Sequence, residues 1–420
     1  VRFNASDQLP LGEGNLLGGP LMSDGIRKYF MHVYNYFFYI AYASYLPFLS
    51  YWFAEDGLSA QQIGFIFSIG PLVGFLMQPV WGMLIDYYGI AKYVLIGSMG
   101  ITPWVMLMYQ FADHNFALYV AISILLAVFA SATLPVVDAI TVRHAKKNTL
   151  SYGAIRVVGS LSFGLSVTFF GILYDKYGLS LLFPVYIGTM LVMCLLSFFL
   201  DTNQREEAET HNLAIRRSGM FKEMLPLLKE RSFLFFLIPV FVAAIGPQLN
   251  NAFYSVYISH FGGEASGKIG ILYTISSVAE IPVFILSGYI ISKLGYVRTL
   301  TLVSLAGALR WYVLSIEPPF EILMLNQILS GVTYALFLAT GINYAYDNSP
   351  AHTKTTAHSL FIVVYTNIAG SVASNIGGFV IEAGGYRLLF GGAAVLSVLG
   401  AVGFAMLGRL RTEKLHNSTV

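Results

Sequence analysis

Charge is scarce in this chain. Lys, Arg, Asp and Glu make up 11% of its 420 residues, against about 25% in an ordinary soluble domain. Cysteine is nearly absent: Cys194 stands alone inside an apolar run. That excludes an internal disulfide and a cysteine-based metal cluster, and leaves Cys194 as a packing residue. The chain has no phosphate-cradling glycine loop, no Ser/His/Asp set and no metal-ligand spacing of His and Cys. An ATP-driven pump within this chain and an enzyme are therefore not expected, and neither is a bound cofactor or metal. No cleavable signal pattern opens the sequence: residues 1–22 are polar and Gly-rich, and Arg27 and Lys28 precede the first apolar run. Residues 1–21 are set aside from function. The formal charge of +2 is small and the basic residues sit between apolar runs, so no nucleic-acid partner is expected.

What the chain has is apolar length. It is 56% hydrophobic, with 32 Phe, 27 Tyr and 40 Gly. Runs of about 20 residues, enough to cross a bilayer as a helix, fall at 29–53, 63–85, 93–111, 116–142, 153–174 and 179–200, then at 233–258, 267–291, 298–316, 320–346, 358–381 and 387–408. The spacing predicts an all-α membrane protein of twelve transmembrane helices in two six-helix bundles. Its parts are an N-terminal segment (1–28), a first bundle (29–200), a central loop (201–232), a second bundle (233–408) and a tail (409–420). Lys92, Arg143, Lys146, Lys147, Lys293, Arg298 and Lys354 fall on one side with the basic central loop and tail, and only Lys176, Lys268 and Arg387 on the other. The positive-inside rule then puts both termini in the cytoplasm. Residues 220–232, MFKEMLPLLKERS, read either as a surface-lying amphipathic helix or as a solvated linker.

The two halves repeat. GMLIDYYGIAK (82–92) is echoed by GYIISKLGYVR (288–298), pairing Gly82 with Gly288, Gly89 with Gly295 and Lys92 with Arg298, while Asp86 meets Ser292. A repeat at one place in each half implies bundles related by a pseudo-twofold axis. Four charges are buried in apolar sequence: Asp138 and Arg156 on the fourth and fifth runs, Glu280 and Arg310 on the eighth and ninth. At mid-helix each costs roughly 2.5–3.5 kcal/mol on insertion scales, so such residues face inward and mark functional sites by default. Two readings stay open for each couple, a structural ion pair or a substrate and proton site. An apolar helix favours the neutral form of a carboxyl such as Glu280, which suits a group that loads and releases a proton. Asn35, Tyr39, Gln248, Asn250, Asn251, Asn326, Gln327, Asn367 and Asn375 are further polar candidates for a cavity or for helix–helix hydrogen bonds.

Gly-x-x-x-Asp-x-x-Gly-x-x-Lys at 82–92 resembles the signature loop of the major facilitator superfamily. The resemblance implies that Gly82, Asp86, Gly89, Lys92, Gly288, Gly295 and Arg298 form gating loops, with Asp86 capping a helix or pairing with a base. VVDAITV followed by YGAIRVVGSLSF resembles the fourth-to-fifth span region of the lactose permease and its oligosaccharide:proton symporter relatives. That implies sugar binding by Asp138, Arg156 and Phe163, the last in place of a stacking tryptophan, and substrate or proton roles for Glu280 and Arg310. The family's His and acid of span ten have no counterpart in ILMLNQILSGVTYALF (322–337), which offers Asn326 and Gln327. The ALRW, NQILSG and EIPVF segments resemble the phenylpropionate-permease-like branch.

The leading expectation is a monomeric secondary transporter of the bacterial cytoplasmic membrane. It imports a small polar solute, a sugar or glycoside, with protons, the proton gradient serving as its only energy source. Asp138, Arg156, Phe163, Glu280, Arg310, Asn251 and Asn326 are expected to bind substrate, with Glu280 first and Asp138 second as proton carrier. The alternatives are an importer of small aromatic carboxylates and a drug or metabolite exporter. Antiporters of the superfamily carry a Gly-Pro motif in span five, and GSLSFGLSVTFFGILYD has no proline.

Overall fold

The computed structural model describes residues 24–200, 227, 230–350 and 353–417, without the side chains of 24–27, 86, 231–232, 355 and 410–417. The central loop, the proposed surface helix and the side chain of Asp86 therefore lie outside the described residues.

Every described element is helical. The first half holds α1 (Asp24–Tyr45), α2 (Leu49–Glu55), α3 (Ala60–Tyr88), α4 (Ala91–Leu107), α5 (Phe116–Ala130), α6 (Thr133–Lys147), α7 (Tyr152–Tyr177) and α8 (Leu182–Ser197). The second holds α9 (Arg231–Ser259), α10 (Ala265–Leu294), α11 (Tyr296–Ser315), α12 (Phe320–Asp347), α13 (Lys354–Ile362), a π-helical stretch (Val363–Ile368) and α14 (Ala369–Asn417). Among the described residues, nine helical stretches are long and apolar enough to cross a membrane. The last, Thr356–Arg409, is interrupted by non-helical backbone at Gly384 and Gly385, and so supplies two crossings. α1 and α11, of 22 and 20 residues, are also long enough for a crossing.

Two sequence runs are broken. The first stops at a turn over 46–48, where Pro47 sits, and resumes as α2. The fourth divides into α5 and α6 around Ser131 and Ala132. Hydropathy continues through both breaks, so the sequence shows neither. Elsewhere the local chemistry matches the ends. Ser59 and Gln62 form a capping box at the start of α3, and Asn115 and Ser151 cap α5 and α7. Gly89 at φ +65° and Gly295 at φ +76° turn the chain between α3 and α4 and between α10 and α11, where a side chain would be strained.

One end of the bundle gathers the loops with Lys92, Arg143, Lys293, Arg298 and Lys354; this is the basic end. At the opposite, far end the two halves are locked together along α3 with α14 and along α7 with α10. The locks are equivalent under the repeat. A side chain on Gly171 would strike the Ser266 carbonyl, and one on Gly378 the Ala60 carbonyl. One on Gly64 would strike the Ser374 carbonyl, and one on Gly270 the Val167 carbonyl. Asp175 accepts hydrogen bonds from Ser266 N (2.9 Å) and Gly267 N (2.6 Å) at the start of α10, and Glu382 accepts one from Gln61 N (3.1 Å) at the start of α3. Each carboxylate thus caps the N-terminus of a helix in the other half, where backbone donors and the helix dipole favour a negative charge.

Gly82 lies five turns beyond Gly64 on the same face of α3, and Gly288 five turns beyond Gly270 on α10. Nothing lies within 4 Å of a Cβ at either. The faces that touch at the far end are therefore apart at the basic end. Gly82 and Gly288 make no close approach in this conformation.

Candidate functional site

A cavity of about 640 Å³ lies between the two halves. Arg156, Glu280 and Arg310 are the charged residues in its wall. Phe163 and Asn251, also expected from sequence, line it as well. Two expected residues do not. Asp138 is half-buried and outside the wall, accepting a 3.4 Å hydrogen bond from the Tyr152 hydroxyl. Asn326 is buried one position away from the lining residue Gln327, and a helix turns about 100° per residue, which carries it off that face.

Arg156 sits on α7 with its guanidinium 4.5 Å from the centre of the Tyr39 ring on α1, a cation–π geometry that holds a cation away from bulk water. Its Nη1 donates to Ser160 Oγ, one turn on, at 3.2 Å. Arg156 acts electrostatically on both Asp138 and Glu280. Among the described residues none of these three groups comes within 4.0 Å of an opposite charge. The wall thus brings Arg156 and Glu280 together from opposite halves with no closed ion pair, and Asp138 acts on Arg156 from outside the wall.

The expected Glu280–Arg310 couple is not formed. The charged neighbour of Glu280 is Arg156 of the other half, and Arg310 has a different setting. Arg310 is 4% exposed. Its Nη2 donates to Asn250 Oδ1 at 3.0 Å, and its guanidinium lies 4.1 Å from the Trp311 ring centre. Trp311 in turn stacks on Phe390. The physical reason is register. Arg310 and Trp311 lie on α11 facing α9 and α14, while Glu280 lies on α10, which packs along α7 and so faces Arg156.

Amides and aromatic rings complete the wall. Gln248 donates to the Tyr365 carbonyl at 2.9 Å, and Asn251 donates to Gln248 Oε1 at 3.3 Å. Tyr365 lies in the π-helical stretch. Such a stretch frees backbone groups from the helical ladder, and the Gln248 amide takes one up. Tyr42, Tyr254, Tyr273, Trp311, Tyr334 and Tyr365 line the cavity and were not singled out as site residues from sequence. Among 27 tyrosines, no pattern separates these from packing residues.

The loop residues are apart from the cavity. Lys92 Nζ donates to the carbonyls of Phe198 (2.6 Å) and Leu200 (3.3 Å), just past the end of α8, where a cation satisfies orphan carbonyls. Arg298 is exposed.

The MFS_1 like family matches this chain over residues 29–391. "Uncharacterized transporter YwbF" of Bacillus subtilis (strain 168) is 28% identical over 391 residues, 91% of this chain and 94% of that protein. Maltose permease of Geobacillus stearothermophilus is 27% identical over 378 residues, 89% of this chain and 93% of that one. The crystal structure of the nucleoside transporter NupG has the same fold, with a TM-score of 0.78 at 15% identity, covering 91% of this chain and 98% of that chain.

Proposed function

The chain belongs to the MFS_1 like family, a multi-pass transporter group of the major facilitator type, and from that premise we propose that it is a proton-coupled symporter importing a sugar or glycoside. The observation that carries the reading is the setting of Glu280. It is a carboxyl group on the cavity wall, at the junction of the halves, acted on by the arginine of the opposite half. Proton uptake there removes one of the two negative charges acting on Arg156, and substrate binding engages the same guanidinium. The two events share one electrostatic centre, which is what coupling requires.

The amides of Gln248, Asn250, Asn251 and Gln327 both donate and accept, as a polyhydroxylated ring demands. Tyr39, Phe163 and Tyr334 offer flat apolar faces. The maltose permease relative supports the sugar reading. The opening at the basic end is the cytoplasmic one by the positive-inside rule, so the conformation described here faces inward. Rocking of the halves about the midplane site opens the other side. One proton crossing 100 mV brings about 2.3 kcal/mol, which sustains roughly a fiftyfold gradient.

The test is sugar uptake in proteoliposomes under an imposed proton gradient, beside counterflow exchange without one. Glu280→Gln is expected to abolish accumulation and keep exchange. Accumulation that survives Glu280→Gln would assign the proton to another group.

A further inference from the structure

The cavity's charges do not cancel evenly. Arg156 has two carboxylates acting on it, Glu280 on the wall and Asp138 outside it. Arg310, at the opposite wall, has a neutral amide and an aromatic ring as neighbours and no carboxylate within ion-pair distance among the described residues. Its Nε, though buried, has no hydrogen-bond partner. Three other buried cavity-wall groups share that state, the hydroxyls of Tyr254 on α9, Ser304 six residues before Arg310 on α11, and Tyr365 on the π-helical stretch. Tyr254 and Tyr365 are both close enough to Arg310 to act on its charge.

Each buried polar group left unpaired costs about 1–3 kcal/mol, more when charged. Native chains rarely keep such groups without a use. A guanidinium can only donate, so whatever completes this corner must accept hydrogen bonds. Because the corner also carries an unopposed positive charge, a negatively charged acceptor completes it better than a neutral one. The planar fork of arginine fits a carboxylate through two parallel bonds, and one unopposed charge calls for one negative charge.

We propose that the Arg310–Tyr254–Tyr365 corner is an anion subsite, and that the transported solute carries a carboxylate there while its polar ring lies toward Arg156. Resting on the sugar reading above, this makes the substrate a sugar acid or a glycoside bearing one carboxylate. Trp311, against the Arg310 guanidinium, supplies the apolar flank of such a ring.

The experiment uses the full-length purified protein and matched pairs: glucose with glucuronate, phenyl glucoside with phenyl glucuronide, and cellobiose with cellobionate. Glucose 6-phosphate and 3-phenylpropionate complete the panel. Binding is read by thermal shift and by competition. The acid member of at least one pair is expected to bind tighter on the order of tenfold, matching a charged hydrogen-bonded contact. Arg310→Gln is expected to erase that preference, and Arg310→Lys to keep part of it, since lysine retains the charge but not the fork. The wild-type pairs decide the matter even if a variant fails to fold. Equal binding within every pair overturns the anion subsite and leaves the sugar reading standing. Tight binding of 3-phenylpropionate alone, lost in Arg310→Gln, upholds the subsite and overturns the sugar reading. Stronger binding of glucose 6-phosphate than of glucuronate overturns the carboxylate assignment.

Discussion

At the scale of single residues, the cavity is governed by which helix face each charge occupies. Arg156 acts on two carboxylates, Asp138 and Glu280, and lies against the Tyr39 ring. Arg156→Lys is expected to remove substrate binding by well over tenfold, because lysine keeps the charge but loses the planar group that stacks and makes paired bonds. Equilibrium binding of the best ligand from the panel above, compared with wild type, checks it; unchanged affinity would remove Arg156 from the site. Arg156, Glu280, Arg310 and Phe163 were legible in the sequence because a charge, or an aromatic at a fixed distance from one, stands out against an apolar run. Their pairing was not legible. Sequence order suggested Glu280 with Arg310, neighbours along the chain, whereas packing of α10 on α7 brings Glu280 to Arg156. The position of Tyr365 depends on a π-helical stretch, which hydropathy does not mark.

At the scale of elements, the far-end closure rests on two carboxylate caps and four glycines. A carboxylate at a helix N-terminus contributes up to about 2 kcal/mol when partly buried. Replacing Asp175 and Glu382 together by alanine is therefore expected to favour opening of the far end. The reporter is Ser255→Cys in a Cys194→Ser background. Ser255 is buried at the far end and donates to the Pro47 carbonyl across the halves. Its labelling by a membrane-impermeant maleimide should speed up roughly tenfold in the double variant. An unchanged rate would mean that the two caps are not needed for the closure. A second prediction concerns those contacts. Gly171→Val places a branched side chain against the Ser266 carbonyl and should leave the far end open, so that exchange fails while expression persists; fluorescence-detected size exclusion with counterflow checks both. The all-helical membrane class and the repeat were legible here, since long apolar runs and the echoed loop are properties of the sequence itself. The inter-half caps were not, because nothing in a sequence says which helix start a distant carboxylate will meet.

At the scale of the whole molecule, the polar chemistry is unequal between the halves while the lock between them is equal. Arg310, Asn250, Asn251, Gln248 and Gln327 all belong to the second half, and Arg156 with a mostly apolar wall to the first. The described contacts between halves are side chain and backbone contacts of folded helices, so a chain cut within 201–229 is expected to reassemble. Co-expressing residues 1–215 and 216–420, each bearing a different tag, should give a co-purifying pair that transports at a reduced rate. Failure to co-purify would show that the covalent connection is needed for the halves to meet.

The matched locks at the far end have a meaning beyond closure. Gln61 and Gly267, Gly64 and Gly270, Gly82 and Gly288, and Gly89 and Gly295 are separated by the same number of positions. Residue i of one half meets residue j of the other, and the counterpart of j meets the counterpart of i. That is the rule of an isologous interface in a twofold dimer, here written into one chain. In a dimer of identical subunits every substitution would strike both copies of the contact. In a single chain each copy mutates alone, so the interface can stay self-complementary while the two binding walls drift apart, which is how one half is free to hold an arginine that the other has no partner for.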